Sequence, residues 1–221
     1  KAFENFYFIN GNHDLFYRDK REINSVEYIR NIPNVHIVNK WIIKDDVAII
    51  PWMVQDEWKK IEKMNMKYVF GHFELPYFKM NAMVDMPDIG GIKTEHFANC
   101  GKVFTGHFHK RQYNKNVTYI GNAFPHNYAD SWDDERGMMI LEWGGEPKYI
   151  NWPDMPRYRT IKISELLADP DKVLKPKMYV RVTLDIKISY EEANFIRETF
   201  IDKYKLRELQ LIPEQIDQAQ Q

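Results

Sequence analysis

The sequence predicts a mixed α/β (α+β) fold with a small second domain, and three observations predict it. Short runs rich in aromatic and β-branched residues recur along the first two thirds of the 221 residues, as buried strands do. Amphipathic stretches separate some of them. After a segment holding Pro153 and Pro156 the texture changes to one clear strand and one long amphipathic helix.

In chain order the strand-like runs are Phe6 to Ile9, Val35 to Val38, Trp41 to Ile43, Val47 to Ile50, Tyr68 to Phe70, Val103 to Thr105, Val117 to Ile120 and Met138 to Trp143. Between them, Ser25 to Ile32 and Gln55 to Asn65 read as amphipathic, with Trp58, Ile61 and Met64 at three-residue spacing on one face. Asp45-Asp46 separates two strand-like runs at hairpin spacing, so part of the sheet is expected to be antiparallel. The second domain is expected over residues 153–221, as the strand Met178 to Ile186 and the helix Tyr190 to Lys205, leaving residues 1–152 for the first. The Gln-rich end, Gln215 to Gln221, is expected to fray.

Composition narrows the function. Thirty-one Lys plus Arg against thirty-two Asp plus Glu give a net charge of −1, so no global basic field announces nucleic acid and a charged ligand must be captured locally. The single cysteine, Cys100, excludes an internal disulfide and a thiolate zinc cluster, and fits a reducing cytosol. No apolar run approaches the roughly 20 residues of a membrane span, and no membrane partner is expected.

Three strand-like runs end alike. Phe6 to Ile9 leads into Asn10-Gly11-Asn12-His13-Asp14, Tyr68 to Phe70 into Gly71-His72, and Val103 to Thr105 into Gly106-His107-Phe108-His109. Carboxyl ends of strands in α/β sheets are where loops converge on a crevice, and glycine lets the chain turn so that the next side chain enters it. A lone Gly-His pair is ordinarily a surface or core-edge histidine. A specified tetrapeptide such as Gly-Asn-His-Asp arises by accident in a chain of this length at odds on the order of one in a thousand, and the conjunction of all three motifs behind strands is stronger still. Imidazoles with side-chain oxygens suit manganese, iron or zinc. Paired cations about 3.5–4 Å apart serve phosphoester hydrolysis, and His13, flanked by Asp14, could protonate a leaving oxygen.

These motifs resemble the later signature of the calcineurin-like metallophosphoesterase superfamily: Gly-Asn-His-Asp/Glu, Gly-His and Gly-His-x-His, in that order. Within it the chain is most similar to the SbcD-type nucleases and their tailed-phage recombination endonuclease subunits. Ile50-Pro51-Trp52-Met53, Gly71-His72-Phe73-Glu74-Leu75, Tyr119-Ile120-Gly121-Asn122 and Asp133-Asp134-Glu135-Arg136-Gly137 carry that closer likeness. The resemblance implies a metallophosphoesterase β-sandwich flanked by helices, with a capping domain that helps hold DNA. It implies two divalent ions, manganese first, with Asn12, His72 and His107 on one and His109 on the other. His13 would assist the leaving group and Asp14 would orient it. DNA is the implied substrate, an SbcC-type coiled-coil ATPase the implied partner, and a homodimer and a place in DNA repair or recombination, in the cytoplasm of a bacterium or phage-infected cell, are implied with them.

The chain departs from the pattern at its start. The family opens with Asp-x-His and Gly-Asp-x-x-Asp, which supply the first metal's ligands and the bridging carboxylate. No histidine here has an aspartate two positions before it, and none of the ten glycines is followed by aspartate. With Lys1 opening just before the Gly11 motif, the chain reads as a fragment lacking the first strands of the sheet, with an exposed edge at Phe6 to Ile9 and little activity by itself. Two other readings stand beside it: a phosphoesterase for small phosphoesters or phosphoproteins, and a non-catalytic half of a split nuclease completed by another chain.

Overall fold

The computed structural model describes residues 3–80 and 84–213, so the Gln-rich end lies outside the described residues. Internal contacts divide the chain at Asn122–Ala123, upstream of the boundary expected after residue 152.

The first unit carries β1 (Phe6–Ile9), β2 (Leu15–Tyr17), β3 (Lys20–Asn24), β4 (Val35–Val38), β5 (Ile42–Lys44), β6 (Val47–Ile50), β7 (Tyr68–His72), β8 (Lys102–Gly106), β9 (Gln112–Asn114) and β10 (Val117–Tyr119). Six of these form one sheet in the order β5-β6-β7-β8-β10-β9. The four inner strands are parallel, and β5 and β9 close the edges antiparallel. Central parallel strands bury both faces, which is why β7 and β8 read as continuous apolar runs: Tyr68, Val69, Val103, Phe104 and Thr105 are all buried. The expected hairpin is β5–β6. Its turn is Asp45-Asp46, with Asp45 at φ 51°, a left-handed conformation that a short polar side chain tolerates where glycine is absent.

β1 and β4 form a separate parallel pair, and β2 and β3 an antiparallel hairpin between them. Neither β2 nor β3 was expected: β2 is only three residues long, and in β3 Lys20, Arg21 and Glu22 break the alternation. A sheet flanked by helices is only partly found. Among the described residues of this unit the helical segments are 3₁₀ turns, at Asn12–Asp14, Glu27–Ile29, Glu57–Lys63 and Thr94–Phe97. The three-residue spacing of Trp58, Ile61 and Met64 is the reason in the third case: a 3₁₀ helix has three residues per turn, so the spacing puts all three on one line against the core.

The second unit holds the hairpin β11 (Gly137–Ile140) and β12 (Lys148–Asn151), then β13 (Arg157–Lys162), α1 (Ile163–Ala168), α2 (Pro170–Val173), β14 (Met178–Leu184), α3 (Tyr190–Tyr204) and β15 (Glu208–Pro213). β13, β14 and β15 make an all-parallel sheet. Of these, β14 and α3 were expected and β13 and β15 were not. β13 reads Arg-Tyr-Arg-Thr-Ile-Lys, which looks like surface until Arg159 is seen buried against Asp134, Nη2 to Oδ2 at 2.5 Å. Arg136, also buried, pairs with Asp130 and Asp133 within its own turn, while Arg157 and Arg159 tie Asp134 to β13. α3 begins at a capping box, Ser189 with Glu192, and ends at Lys205, φ 53°. Among the described residues no helix is long and apolar enough to cross a membrane.

Candidate metal centre

Parallel register builds the site. β7 and β8 pair with Gly71 opposite Thr105 and His72 opposite Gly106, so both strands end at the same height and hand His72 and His107 to one edge. β1 arrives there separately. Its last turn is held by Asn10, fully buried, whose carbonyl accepts from Trp52 N–H at 2.8 Å and whose amide donates to Asn39. The chain then tightens into the 3₁₀ turn of Asn12, His13 and Asp14, closed by Gly11 N–H donating to Asp14 Oδ2 at 2.8 Å.

The His72 ring lies between two glycines. A Cβ on Gly11 would come within 2.7 Å of its Cε1, and one on Gly106 within 3.0 Å of its Nδ1. Glycine at both places is thus a space requirement. Asn12 Oδ1 lies 3.1 Å from His72 Nε2 and 3.3 Å from His107 Nδ1, so three donor atoms from three strand ends converge. The two rings meet edge to face at 5.3 Å, with Trp52 against both, 5.4 Å from His107 and 6.0 Å from His72. His107 sits at φ 91°, a conformation side chains rarely adopt and one that clusters at functional sites.

Glu74 orients His107. Its Oε1 is 3.2 Å from His107 Nε2. Burial pushes the His107 pKa down and Glu74 pulls it up, with a net lowering, so the contact joins a neutral ring to a carboxylate. A carboxylate only accepts, which assigns the ring proton to Nε2 and leaves Nδ1 a lone pair aimed at the Asn12 carbonyl oxygen. Acceptor against acceptor at 3.3 Å is repulsive, and a cation between them relieves it. Burial lowers the His72 pKa to about 3, with the charges of His107 and His13 acting in the same direction, so this ring too is neutral, the form that binds metal. Adjacent ligands of an octahedral ion at about 2.0–2.1 Å lie about 3 Å apart, and the two distances to Asn12 match. The donor set fits a divalent cation. Among the described residues no cluster of three His, Cys, Asp or Glu side chains comes together as a metal site; the third donor here is an amide.

The scaffold around Glu74 is buried and polar. Thr105 Oγ1 accepts from Phe73 N–H at 2.8 Å, while the Tyr119 hydroxyl accepts from Leu75 N–H at 3.1 Å and donates to Phe73 C=O at 2.8 Å. Burial pushes the Tyr119 phenol well above its ordinary pKa, so it stays protonated and donating.

The chain is 28% identical, over 143 residues, to exonuclease subunit 1 of Enterobacteria phage T4. That alignment takes in 61% of this chain and 41% of the phage protein, so the chain spans about two fifths of the length of the curated relative it matches. No family model matches the chain.

Of the residues expected at the site, Asn12, His72 and His107 come together. His13 is exposed on the Asn12 turn, with its charge acting on both rings, and His109 is near enough to act on His107. The hydrogen bond from Gly11 puts Asp14 to work on the main chain, where it holds the turn that presents His13. Glu74 and Trp52 stood in the quoted motifs without a role. The proton donor and acceptor pattern of His107 is what gives Glu74 one, and no sequence spacing contains it.

Several other charged, aromatic and sulfur side chains of the first unit take structural parts. Arg21 donates to Asn39 C=O and Trp52 C=O and pairs with Glu57, which uses up its guanidinium. His96 stacks on Trp58 at 5.1 Å, and His36 on Tyr7 at 4.8 Å. Phe78 of the loop after Glu74 is buried against Tyr119, whereas Tyr77 is exposed. Met64 and Met86 fill the core, and Met83 lies outside the described residues.

Proposed function

We propose that this chain is part of a metal-dependent DNA nuclease of the metallophosphoesterase type, a phosphodiesterase acting in phage or bacterial DNA repair or recombination. The observation that carries the reading is the convergence of Asn12 Oδ1, His72 Nε2 and His107 Nδ1 with the His107 lone pair facing the amide oxygen. The similarity to a phage exonuclease subunit supports it.

In this reading Asn12, His72 and His107 hold one divalent ion, manganese by donor type, and His109 contributes to a second. Bound cations would neutralise charge on the phosphoryl oxygens. Glu74 fixes the tautomer of His107, the arrangement that metal-ligating histidines commonly use. His13, exposed at the mouth, donates a proton to the leaving oxygen, and Asp14 keeps its turn closed. A carboxylate shared by two cations would, by the resemblance, belong to Asp-x-His and Gly-Asp-x-x-Asp motifs, which do not occur in these 221 residues.

One observation favours completion by another chain or segment. Among the described residues β1 pairs only with β4, and it presents Phe6 at 42% and Tyr7 at 45% exposure, with Phe3 beside them at 64%. Aromatics at a sheet end that delivers a site residue are surface awaiting cover. A coiled-coil ATPase of the SbcC type and a second copy of the nuclease are the further partners.

The test is manganese-dependent cleavage with a polypeptide carrying the two missing motifs supplied in cis or in trans. Duplex DNA and bis(p-nitrophenyl) phosphate should be cut in preference to p-nitrophenyl phosphate, with the chain by itself nearly inactive. Preference for the monoester would establish the small-phosphoester reading instead.

A further inference from the structure

Beside the three-donor cluster, within the first unit, lies a small cavity of about 130 Å3, open to solvent. Its walls include Trp52, Met53, Trp58, Pro76 and Ile89, and His72 and Glu74 form its inner rim. Nothing in the metal-centre reading uses it. We propose that this cavity is a nucleobase subsite, which takes the base of a nucleotide flanking the scissile phosphate. The inference rests on the nuclease reading above and deepens it.

Three features select that occupant. The cavity is continuous with the cluster, because His72 borders both, so a substituent on a phosphoester seated at Asn12 is within a nucleotide's reach of it. Among the described residues no lysine or arginine lines it and Glu74 does, so a second phosphate is disfavoured there and the neutral, planar part of a nucleotide is favoured. Its walls combine two indoles with a thioether and aliphatic carbon, the surface on which bases of any sequence stack. Trp58 is held for that purpose: His96 stacks on it at 5.1 Å, interplanar angle 21°, and Ile61 and Met64 anchor the same 3₁₀ helix in the core. At the mouth Ile89 is 71% exposed, and Gly90 follows at φ 81° with nothing within 4 Å of a Cβ position, which leaves the entrance open.

The experiment compares, by fluorescence anisotropy at fixed salt and with manganese present, a short labelled single-stranded oligonucleotide with the same backbone bearing abasic positions. Base stacking on an aromatic platform predicts about 5-fold or tighter binding of the base-bearing strand. Trp58→Ala should close that gap while leaving abasic binding unchanged. Ile89→Ser, an exposed position whose replacement spares the core, should narrow it. Equal binding of the two strands by the unmodified chain, or a gap untouched by both variants, overturns the subsite and leaves the nuclease reading standing. Binding of neither strand overturns that reading and the subsite with it.

Discussion

At the residue scale the decisive feature is the Nδ1 lone pair of His107, because the ring hydrogen on Nε2 is donated to Glu74 and not to Asn12. Partners of this kind are worth about 10–100-fold in metal affinity. Glu74→Ala should therefore weaken manganese binding by about that factor while the far-ultraviolet spectrum stays unchanged; unaltered affinity would remove Glu74 from the centre. His72 makes a second prediction. Its folded pKa, about 3, is depressed below the ordinary 6.5 by burial. Above pH 6.5 the ring is neutral in both states and its contribution is constant. As pH falls from 6.5 towards 3 the unfolded chain takes up a proton that the folded site refuses, so stability declines by up to about 1.4 kcal/mol per pH unit. Thermal melts from pH 7 to 4 should show that slope, and His72→Gln should flatten it. The three histidine motifs were legible because each follows a glycine behind an apolar run. The part of Glu74 was not, because it depends on which ring nitrogen carries hydrogen, and that is fixed by a neighbour thirty-three residues away.

At the element scale, β7 and β8 and the segment Phe73 to Leu75 act as one piece through Tyr119 and Thr105. Tyr119→Phe keeps the ring and removes a hydroxyl that satisfies one buried N–H and one buried carbonyl. A loss of about 1–3 kcal/mol is expected, read as a lower unfolding midpoint in urea, together with weaker manganese binding because Glu74 loses its support. An unchanged midpoint would mean that the segment is held by packing and not by this hydroxyl. The strands that carry the site were legible as continuous apolar runs, since parallel strands buried on both faces need them. β2 escaped because three residues are too few to show an alternation, and β3 and β13 because charged residues interrupt theirs; the pairing that makes Arg159 a core residue comes from Asp134, outside its strand. The amphipathic segment after Gln55 was legible as a helical face, but its winding as a 3₁₀ helix was not read from the sequence.

At the scale of the whole molecule, the two units have separate cores, one around Val69, Phe97 and Val103 and one around Val180, Leu166 and Ile163. In the sequence the change of texture comes after Pro153, whereas contacts divide the chain at Asn122–Ala123. The dividing point was not disclosed, because the tie of Arg159 to Asp134 joins residues twenty-five apart in the chain. The uncovered aromatics of β1 carry a prediction at this scale: the chain self-associates at micromolar concentration in sedimentation velocity, and the double substitution Phe6→Ser with Tyr7→Ser shifts it towards monomer. A monomer at every concentration would contradict the reading of that face as one that needs cover.

Calorimetric titration of the chain with manganese, run beside His107→Ala, decides whether Asn12, His72 and His107 hold a cation by themselves. One weak site, abolished in His107→Ala, is the predicted result. Two tight sites, or a site indifferent to the loss of His107, would contradict it.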